Sequence, residues 1–233
     1  MKPRSDIDFS TLLASAAHDM KNSLSLILST LDELSDDKSI EQSDSFSKPI
    51  DLVRYEAKRV NNDLVSLLTL YKLEGDHITA RHELNSVNDF LEDQLLYHHS
   101  SLTLRNIEAK IECDEMLQWV FDADLLGTVI NNLINNALRY TQKQISVSGN
   151  IIDDQLCISV EDDGPGYPIA ILEQQPGTSG YNVDYKSGST GLGLHFAQVI
   201  TKAHHKGEER GRIELSNDST LGGGRFNIFL PNI

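Results

Sequence analysis

The chain has 233 residues, 39% of them hydrophobic, with 20 basic against 35 acidic residues and a formal net charge of −15. That length and apolar content permit one large core or two smaller ones, while the acidic balance excludes nonspecific nucleic-acid binding and a polybasic membrane anchor. No apolar run reaches the roughly 18 residues that span a bilayer, the start MKPRSDIDF lacks a signal-peptide core, and Cys113 and Cys157 lack metal-ligand or disulfide spacing, so a soluble cytoplasmic protein is expected.

From Phe9 the apolar positions Leu13, Ala16, Met20, Leu24, Ile27, Leu31 and Leu34 recur in steps of three and four, close to a coiled-coil seam. The polar stretch SDDKSIEQSDSFSK interrupts them. Pro49 then stands where a helix begins, Ile50, Val53, Ala57, Val60, Leu64, Leu67 and Tyr71 resume the rhythm, and Gly75 ends it. This predicts a helical hairpin over residues 1–76. Such a pair buries its stripe poorly alone, so a homodimer through a four-helix bundle is expected.

The texture changes after Gly75. Ser86 to Ser100 reads as a helix, and Ile107, Ala109, Ile111 and Cys113 alternate as in a strand. Asp122 or Asp124 is placed to cap a helix from about Leu125 to Tyr140, with Leu125, Val129, Leu133 and Ala137 toward a core. Strand alternation returns in QISVSG, QLCISVED, RIELSN and RFNIFLP, and Leu192 to Ala203 reads as helical. The fold class is therefore α+β, residues 77–233 forming a sheet with helices on one face. Pro165 to Thr190 is a long stretch rich in Gly, Ser, Gln and Tyr without a period, the kind of loop that is functional or disordered.

Four segments carry chemistry. In VINNLINNALRYT, Asn132 and Asn136 are four apart and share a helix face, and an amide oxygen there suits Mg²⁺, which prefers oxygen donors. A solvated asparagine-rich face is the plain alternative, at even odds on this segment alone. EDDGPG puts Asp162 at a strand end, able to accept from an exocyclic amine such as that of adenine, with Gly164 and Gly166 letting backbone approach a base; taken alone, an ordinary Asp–Gly turn is favoured. GSTGLGL precedes a helix, where free backbone amides suit phosphate oxygens, although a helix-capping turn is the usual reading. In the hairpin, His18 sits beside the seam, where a neutral imidazole is a nucleophile toward phosphorus. Asp19 is placed to accept its proton, and Asn22 lies one turn along on the same side. The adjacent pairs His98–His99 and His204–His205 have no carboxylate or cysteine framework and are not read as metal sites.

The joint order of these segments resembles the catalytic core of sensor histidine kinases, whose ATP-binding domain is a GHKL (Bergerat-type) α/β sandwich. ASAAHDMKNSLSLI is similar to the H box, NNLINNALRYT to the N box, VEDDGPGYP and STGLGLHFAQVI to the two glycine boxes, and a glycine-rich turn from Leu221 to Arg225 precedes the last strand. The resemblance implies a two-component protein-histidine kinase using ATP and Mg²⁺. It makes His18 the phosphoacceptor, with Asp19 and Asn22 as its catalytic neighbours, Asn22 orienting water in a phosphatase reaction. It makes Asn136 the metal ligand and Asn132 its partner, with Arg139 and Tyr140 approaching phosphates and base. Asp162, Gly164, Gly166, Lys186, Thr190, Gly191, Leu192, Gly193 and Leu194 complete the nucleotide site, and the partner is a response-regulator receiver domain. Asn131 and Asn135 receive no role and are expected to be solvated.

The sequence departs from the family at two places. Ser23 stands where many relatives have proline, and between Gly166 and Gly188 there is no phenylalanine, only Tyr167, Tyr181 and Tyr185, with Lys186 the one cation. Two rival expectations keep the fold: a non-catalytic pseudokinase scaffold, and a GHKL-type ATPase that hydrolyses ATP as a clamp. The H box argues against the clamp.

Overall fold

The computed structural model describes residues 80–173 and 192–233, together with Met20, Ile27 and Val53, each helical. Apart from those three positions, the hairpin expected over residues 1–76, with His18, Asp19 and Asn22, lies outside the described residues, as do Lys186, Thr190 and Gly191. Contacts divide the chain into two compact units, and the domain described below belongs to the one made of Leu73–Tyr181 and Gly193–Ile233.

Strand β1 (Glu83–Ser86) opens the domain and runs directly into helix α1 (Val87–Leu104). Ser86 ends the strand and caps the helix, its Oγ accepting from the Asp89 N–H at 3.3 Å. The helix thus starts where the sequence placed it and runs one turn further. Strand β2 (Glu108–Cys113) follows, with Glu108, Lys110 and Glu112 exposed and Ala109, Ile111 and Cys113 turned inward, the alternation seen in the sequence. Strand β3 (Gln118–Phe121) pairs antiparallel with β1 in a separate two-stranded ribbon. No period in ELNS or QWVF announces that pair; long-range contacts fix it. Trp119, buried, donates its indole N–H to the Pro231 carbonyl at 3.1 Å, and Asn85 donates to the Phe121 carbonyl at 2.9 Å.

Helix α2 (Ala123–Tyr140) is capped by Asp122, whose Oδ1 accepts from the Leu125 N–H at 2.9 Å. The expected core positions Leu125, Val129, Leu133 and Ala137 are buried, and so are Leu126, Ile130, Ile134 and Leu138. The apolar face is therefore wider than one stripe. Each buried Leu, Ile or Val among them contributes about 1.5–3 kcal/mol by leaving water, so the helix is anchored firmly enough to hold a polar strip on its remaining face.

Strands β4 (Gln144–Ile152) and β5 (Gln155–Asp162) form a hairpin whose two-residue turn, Asp153–Asp154, takes positive φ at both positions, as such tight turns require. Short helix α3 (Ile169–Leu172) follows β5 within the stretch expected to be irregular, and α4 (Leu192–Ala203) lies where the sequence placed it. A small ribbon, β6 (His205–Lys206) with β7 (Glu209–Arg210), leads into β8 (Arg212–Ser216) and β9 (Arg225–Leu230). The main sheet has the order β2-β4-β5-β9-β8, parallel only between β2 and β4. Its helix-facing side lies close under α1: a Cβ on Gly149 of β4 would fall 2.8 Å from a Val87 methyl and 3.0 Å from Cys113 Sγ. The result is a two-layer α/β sandwich. Among the described residues no helix is long and apolar enough to cross a membrane.

Candidate nucleotide site

The polar strip of α2 holds the amide pair. Asn132 and Asn136 stand one turn apart, and Asn136 Nδ2 donates to Asn132 Oδ1 at 3.1 Å. Asn136 is exposed, while Asn132 is partly covered by the start of α4: a Cβ on Gly193 would fall 3.0 Å from Asn132 Oδ1. A side chain at 193 would have to displace that amide. Glycine instead brings the first turn of α4, with its backbone N–H groups and positive dipole end, alongside the asparagines. Leu194 follows, half-buried, in that turn. Amide oxygens and helix N–H groups together suit a hard cation and the phosphate oxygens it bridges.

At the other end of α2, Arg139 and Tyr140 occupy the last turn, the guanidinium 5.6 Å from the Tyr140 ring centre. Tyr140 is 48% exposed, and its backbone carbonyl lies against Gly164, where a Cβ would fall 2.7 Å from it. That contact ties the end of α2 to the turn after β5.

Asp162 ends β5. Its Oδ1 accepts from the Gly164 N–H at 2.8 Å and from the Gly224 N–H at 3.4 Å, while Oδ2 takes no hydrogen bond among the described residues. Burial pushes the carboxyl above its usual range, and the two backbone donors only partly offset that. One oxygen is thus fixed and the other is free to accept from a ligand. Gly166 adopts φ +75° and lies against Asn217, whose Oδ1 accepts from the Tyr167 N–H at 2.6 Å and whose Nδ2 donates to the Tyr167 carbonyl at 3.0 Å. Gly164 and Gly166 are held by internal contacts as well, with the Tyr140 carbonyl and with Asn217.

Glu161 braces the same strand end. Its carboxylate accepts from the Thr220 N–H at 2.7 Å and Oγ1 at 3.0 Å and pairs with Arg225 at 3.0 Å. Burial would raise its pKa, but the Thr220 N–H, the guanidinium and the neighbouring hydroxyls hold the carboxyl below its ordinary value. Ser219 Oγ donates to the Asp162 carbonyl at 3.1 Å. The loop before β9 is therefore a fixed wall of the site.

Sequence reasoning missed Asn217, Ser219, Thr220 and Tyr167, whose partners lie far away in the chain, and it misplaced two asparagines. Asn131 is only partly exposed and has a partner: its Oδ1 lies 2.8 Å from His98 Nε2, joining α2 to α1. Asn135 Nδ2 is buried with no hydrogen-bond partner. The other expected histidine pair has a structural use as well. His204, fully buried, accepts from the Asp122 N–H at 3.0 Å through Nε2 and faces the Ile200 carbonyl at 2.9 Å through Nδ1, which fixes the neutral Nδ1–H tautomer. Among the described residues no group of three His, Cys, Asp or Glu is placed to hold a metal.

Residues 121–232 match the model of the histidine kinase-, DNA gyrase B-, and HSP90-like ATPase family. The chain is 25% identical over 220 residues to the virulence sensor histidine kinase PhoQ of Salmonella typhimurium, covering 94% of this chain and 43% of that protein. It is 26% identical over 220 residues to sensor protein PhoQ of Escherichia coli K12, with the same coverage. It thus spans less than half the length of these curated relatives. Among solved structures, the Acinetobacter baumannii histidine kinase AdeS aligns with a TM-score of 0.63 at 18% identity over 92% of this chain and 98% of that one. Histidine kinase ThkA in complex with response regulator protein TrrA aligns with a TM-score of 0.62 at 19% identity, over 95% of this chain and 61% of that one. At these identities the likeness is one of fold.

Proposed function

With residues 121–232 matching the model of the histidine kinase-, DNA gyrase B-, and HSP90-like ATPase family, and with sensor histidine kinases similar to the chain along 94% of its length, we propose that the protein is an ATP-dependent protein-histidine kinase of a two-component system. The observation that carries this reading is the Asn132–Asn136 amide pair lying beside the first turn of α4 at Gly193. Asn136, exposed, and Asn132 beside it would hold Mg²⁺, which when bound neutralises phosphate charge during transfer. The start of α4, with Gly193 and Leu194, receives the phosphates, Arg139 and Tyr140 flank them, and Asp162 Oδ2 accepts from the exocyclic amine of the base.

The acceptor is His18. An unprotonated ring nitrogen forms the N–P bond as the bond from the γ-phosphorus to the ADP oxygen breaks, and Asp19 takes the proton from the other ring nitrogen. The phosphoryl group then passes to an aspartate carboxylate of a receiver domain, a partner choice supported by the complex of ThkA with a response regulator. Residues 1–76 would be the dimerisation and phosphotransfer part and residues 77–233 the ATP-binding part. Asn22 would hold the water that removes the phosphoryl group from the regulator.

Incubation of the full chain with γ-labelled ATP and Mg²⁺ tests the reaction. Label that is stable to base, labile to acid and absent from His18→Gln is expected. Free phosphate without labelled protein would make the chain an ATPase and overturn the kinase reading.

A further inference from the structure

Helices α2 and α4 touch at two places. The start of α4 lies against the middle of α2, Gly193 beside Asn132. Its far end meets the start of α2, where the Asp122 N–H donates to His204 Nε2 at 3.0 Å. The two contacts are about three turns apart along each helix, roughly 15 Å. The first belongs to the proposed metal and phosphate site; the second is one hydrogen bond between two fixed ends. On the α4 side, His204 Nδ1 faces the Ile200 carbonyl at 2.9 Å, and the His204 carbonyl accepts from the Gly211 N–H at 2.9 Å. On the α2 side, Asp122 Oδ1 accepts from the Leu125 N–H at 2.9 Å and Oδ2 from the Arg81 N–H at 2.7 Å. His204 is fully buried, so breaking the bond leaves a buried donor without a partner.

That bond exists only while Nε2 carries no proton. Protonation sets donor against donor, and each Asp122 oxygen already holds a backbone N–H. The other ionisable side chain acting on His204 is His82, ahead of β1, with ring centres 5.5 Å apart; an imidazole offers no negative charge to an imidazolium. Burial holds the His204 pKa below its ordinary value, so the bond is complete above that folded value and lost as pH falls through it. We propose that His204 is a positioning residue of the nucleotide site: its neutral Nε2 ties the end of α4 to the start of α2 and thereby sets how close Gly193 stands to Asn132. This rests on the reading of the amide pair and the first turn of α4 as the place of Mg²⁺ and the phosphates. The spacing there is tight, a Cβ at 193 falling 3.0 Å from Asn132 Oδ1. A small pivot of α4 therefore changes the gap that ion and phosphates must fill.

The test compares the full chain with His204→Gln, whose side-chain oxygen can accept from the Asp122 N–H without titrating, and with His204→Leu, which fills the space without an acceptor. Mg–ATP binding is measured from about pH 7.5 to about pH 5.5, where a histidine lowered from its ordinary value changes charge, at a temperature at which melting curves show each protein folded. At the neutral end His204→Gln should bind like the parent and His204→Leu about fivefold or more weaker, the low end of coupling between separated sites. At the acid end the parent should lose about fivefold or more relative to His204→Gln. Protonation of the ligand phosphates, and of His195 in the first turn of α4, is common to both and cancels in that ratio. Without ligand, the NMR shift of the Gly193 N–H should follow the His204 ring through its titration, and that component should be missing from His204→Gln. A ratio that stays constant with pH overturns the proposal, as does a folded His204→Leu that binds Mg–ATP like the parent; where leucine does not fold, the glutamine ratio decides. A parent that binds no Mg–ATP while Gly193 still follows the His204 ring defeats the nucleotide reading and leaves the positioning by His204 standing.

Discussion

At the scale of single residues, the site turns on side chains with one committed and one free polar atom. Asn136 gives its Nδ2 to Asn132, and its oxygen has no partner among the described residues. Because the residue is exposed, Asn136→Ala should change unfolding stability by no more than about 0.5 kcal/mol, yet weaken Mg²⁺-dependent ATP binding at least about tenfold, the range for groups around a bound metal. Calorimetric titration with and without Mg²⁺, beside a melting curve, checks both halves; undiminished Mg²⁺-dependent binding would remove Asn136 from the metal. Asp162 offers a sharper case. Asparagine there can keep the Gly164 hydrogen bond through its oxygen, but it puts an NH₂ where Oδ2 stood. Donor then meets donor on adenine, while the guanine carbonyl finds a donor, so Asp162→Asn should lose about tenfold or more for ATP and gain for GTP relative to the parent. Competition between the two nucleotides measures the ratio, and an unchanged ratio would count against base reading by this residue. The placement of these two residues was legible in the sequence because it is local: one helix turn, one strand end. Asn131 was not, since its partner His98 is 33 positions away, and Tyr167 was not, since Asn217 is 50 positions away.

At the scale of elements, α2 is the piece that must stay in register, and its N-terminus is held by more than a cap. Asp122 Oδ1 caps Leu125, Oδ2 accepts from the Arg81 N–H at 2.7 Å, and its own N–H donates to His204 Nε2. Asp122→Ala should therefore cost about 1–2 kcal/mol for the cap alone, and more because the Arg81 N–H loses its acceptor. His204 adds a pH dependence. Burial holds its pKa below 6.5, and the Ile200 carbonyl and Asp122 charge do not restore it. The folded state needs the neutral ring, so this contribution is full above the unfolded value and is lost as pH falls through the folded one. His195 on α4, lowered first by burial and then by Lys202, acts in the same direction. Denaturant unfolding from about pH 7.5 to about pH 5 should show stability falling with acid, at up to about 1.4 kcal/mol per unit for each proton involved. His204→Gln should flatten the curve, and an equally steep curve would mean that His204 is not the group titrating. The elements of long period, α2 and the alternating strands, were readable from the sequence because one buried face repeats. The four-residue β1 and β3 were not, because two facing strands of that length carry no period and exist through their pairing and through Trp119 at Pro231.

At the scale of the whole molecule, the net charge of −15 opposes a polyanionic nucleotide, so binding must be won locally, by amides, helix N–H groups and a divalent cation. The proposed division of labour follows from this. The ATP-binding part presents the γ-phosphate, and the hairpin supplies only a nucleophile and its neighbours. His18→Gln should then abolish labelling while Mg–ATP affinity stays at the parent value, since the proposed nucleotide site is built without residue 18; a parallel loss of ATP binding would contradict the two-part reading. Asn22 separates the two reactions of the hairpin. On a helix it lies about one turn from His18 on the same side, close enough for its amide to hold a water beside a phosphorylated carboxylate. An amide is too weak a base to be needed when the imidazole attacks ATP, and in the proposed kinase step the proton goes to Asp19. Asn22→Ala should accordingly retain most labelling of His18 and slow removal of the phosphoryl group from the receiver domain by about tenfold or more, as loss of a positioning group in a general-base step does. The measurement is paired: initial rate of labelling from γ-labelled ATP, and decay of the phosphorylated regulator with unlabelled nucleotide present. Equal loss of both rates, or loss of labelling alone, would show that Asn22 serves the helix or the kinase step and not the water.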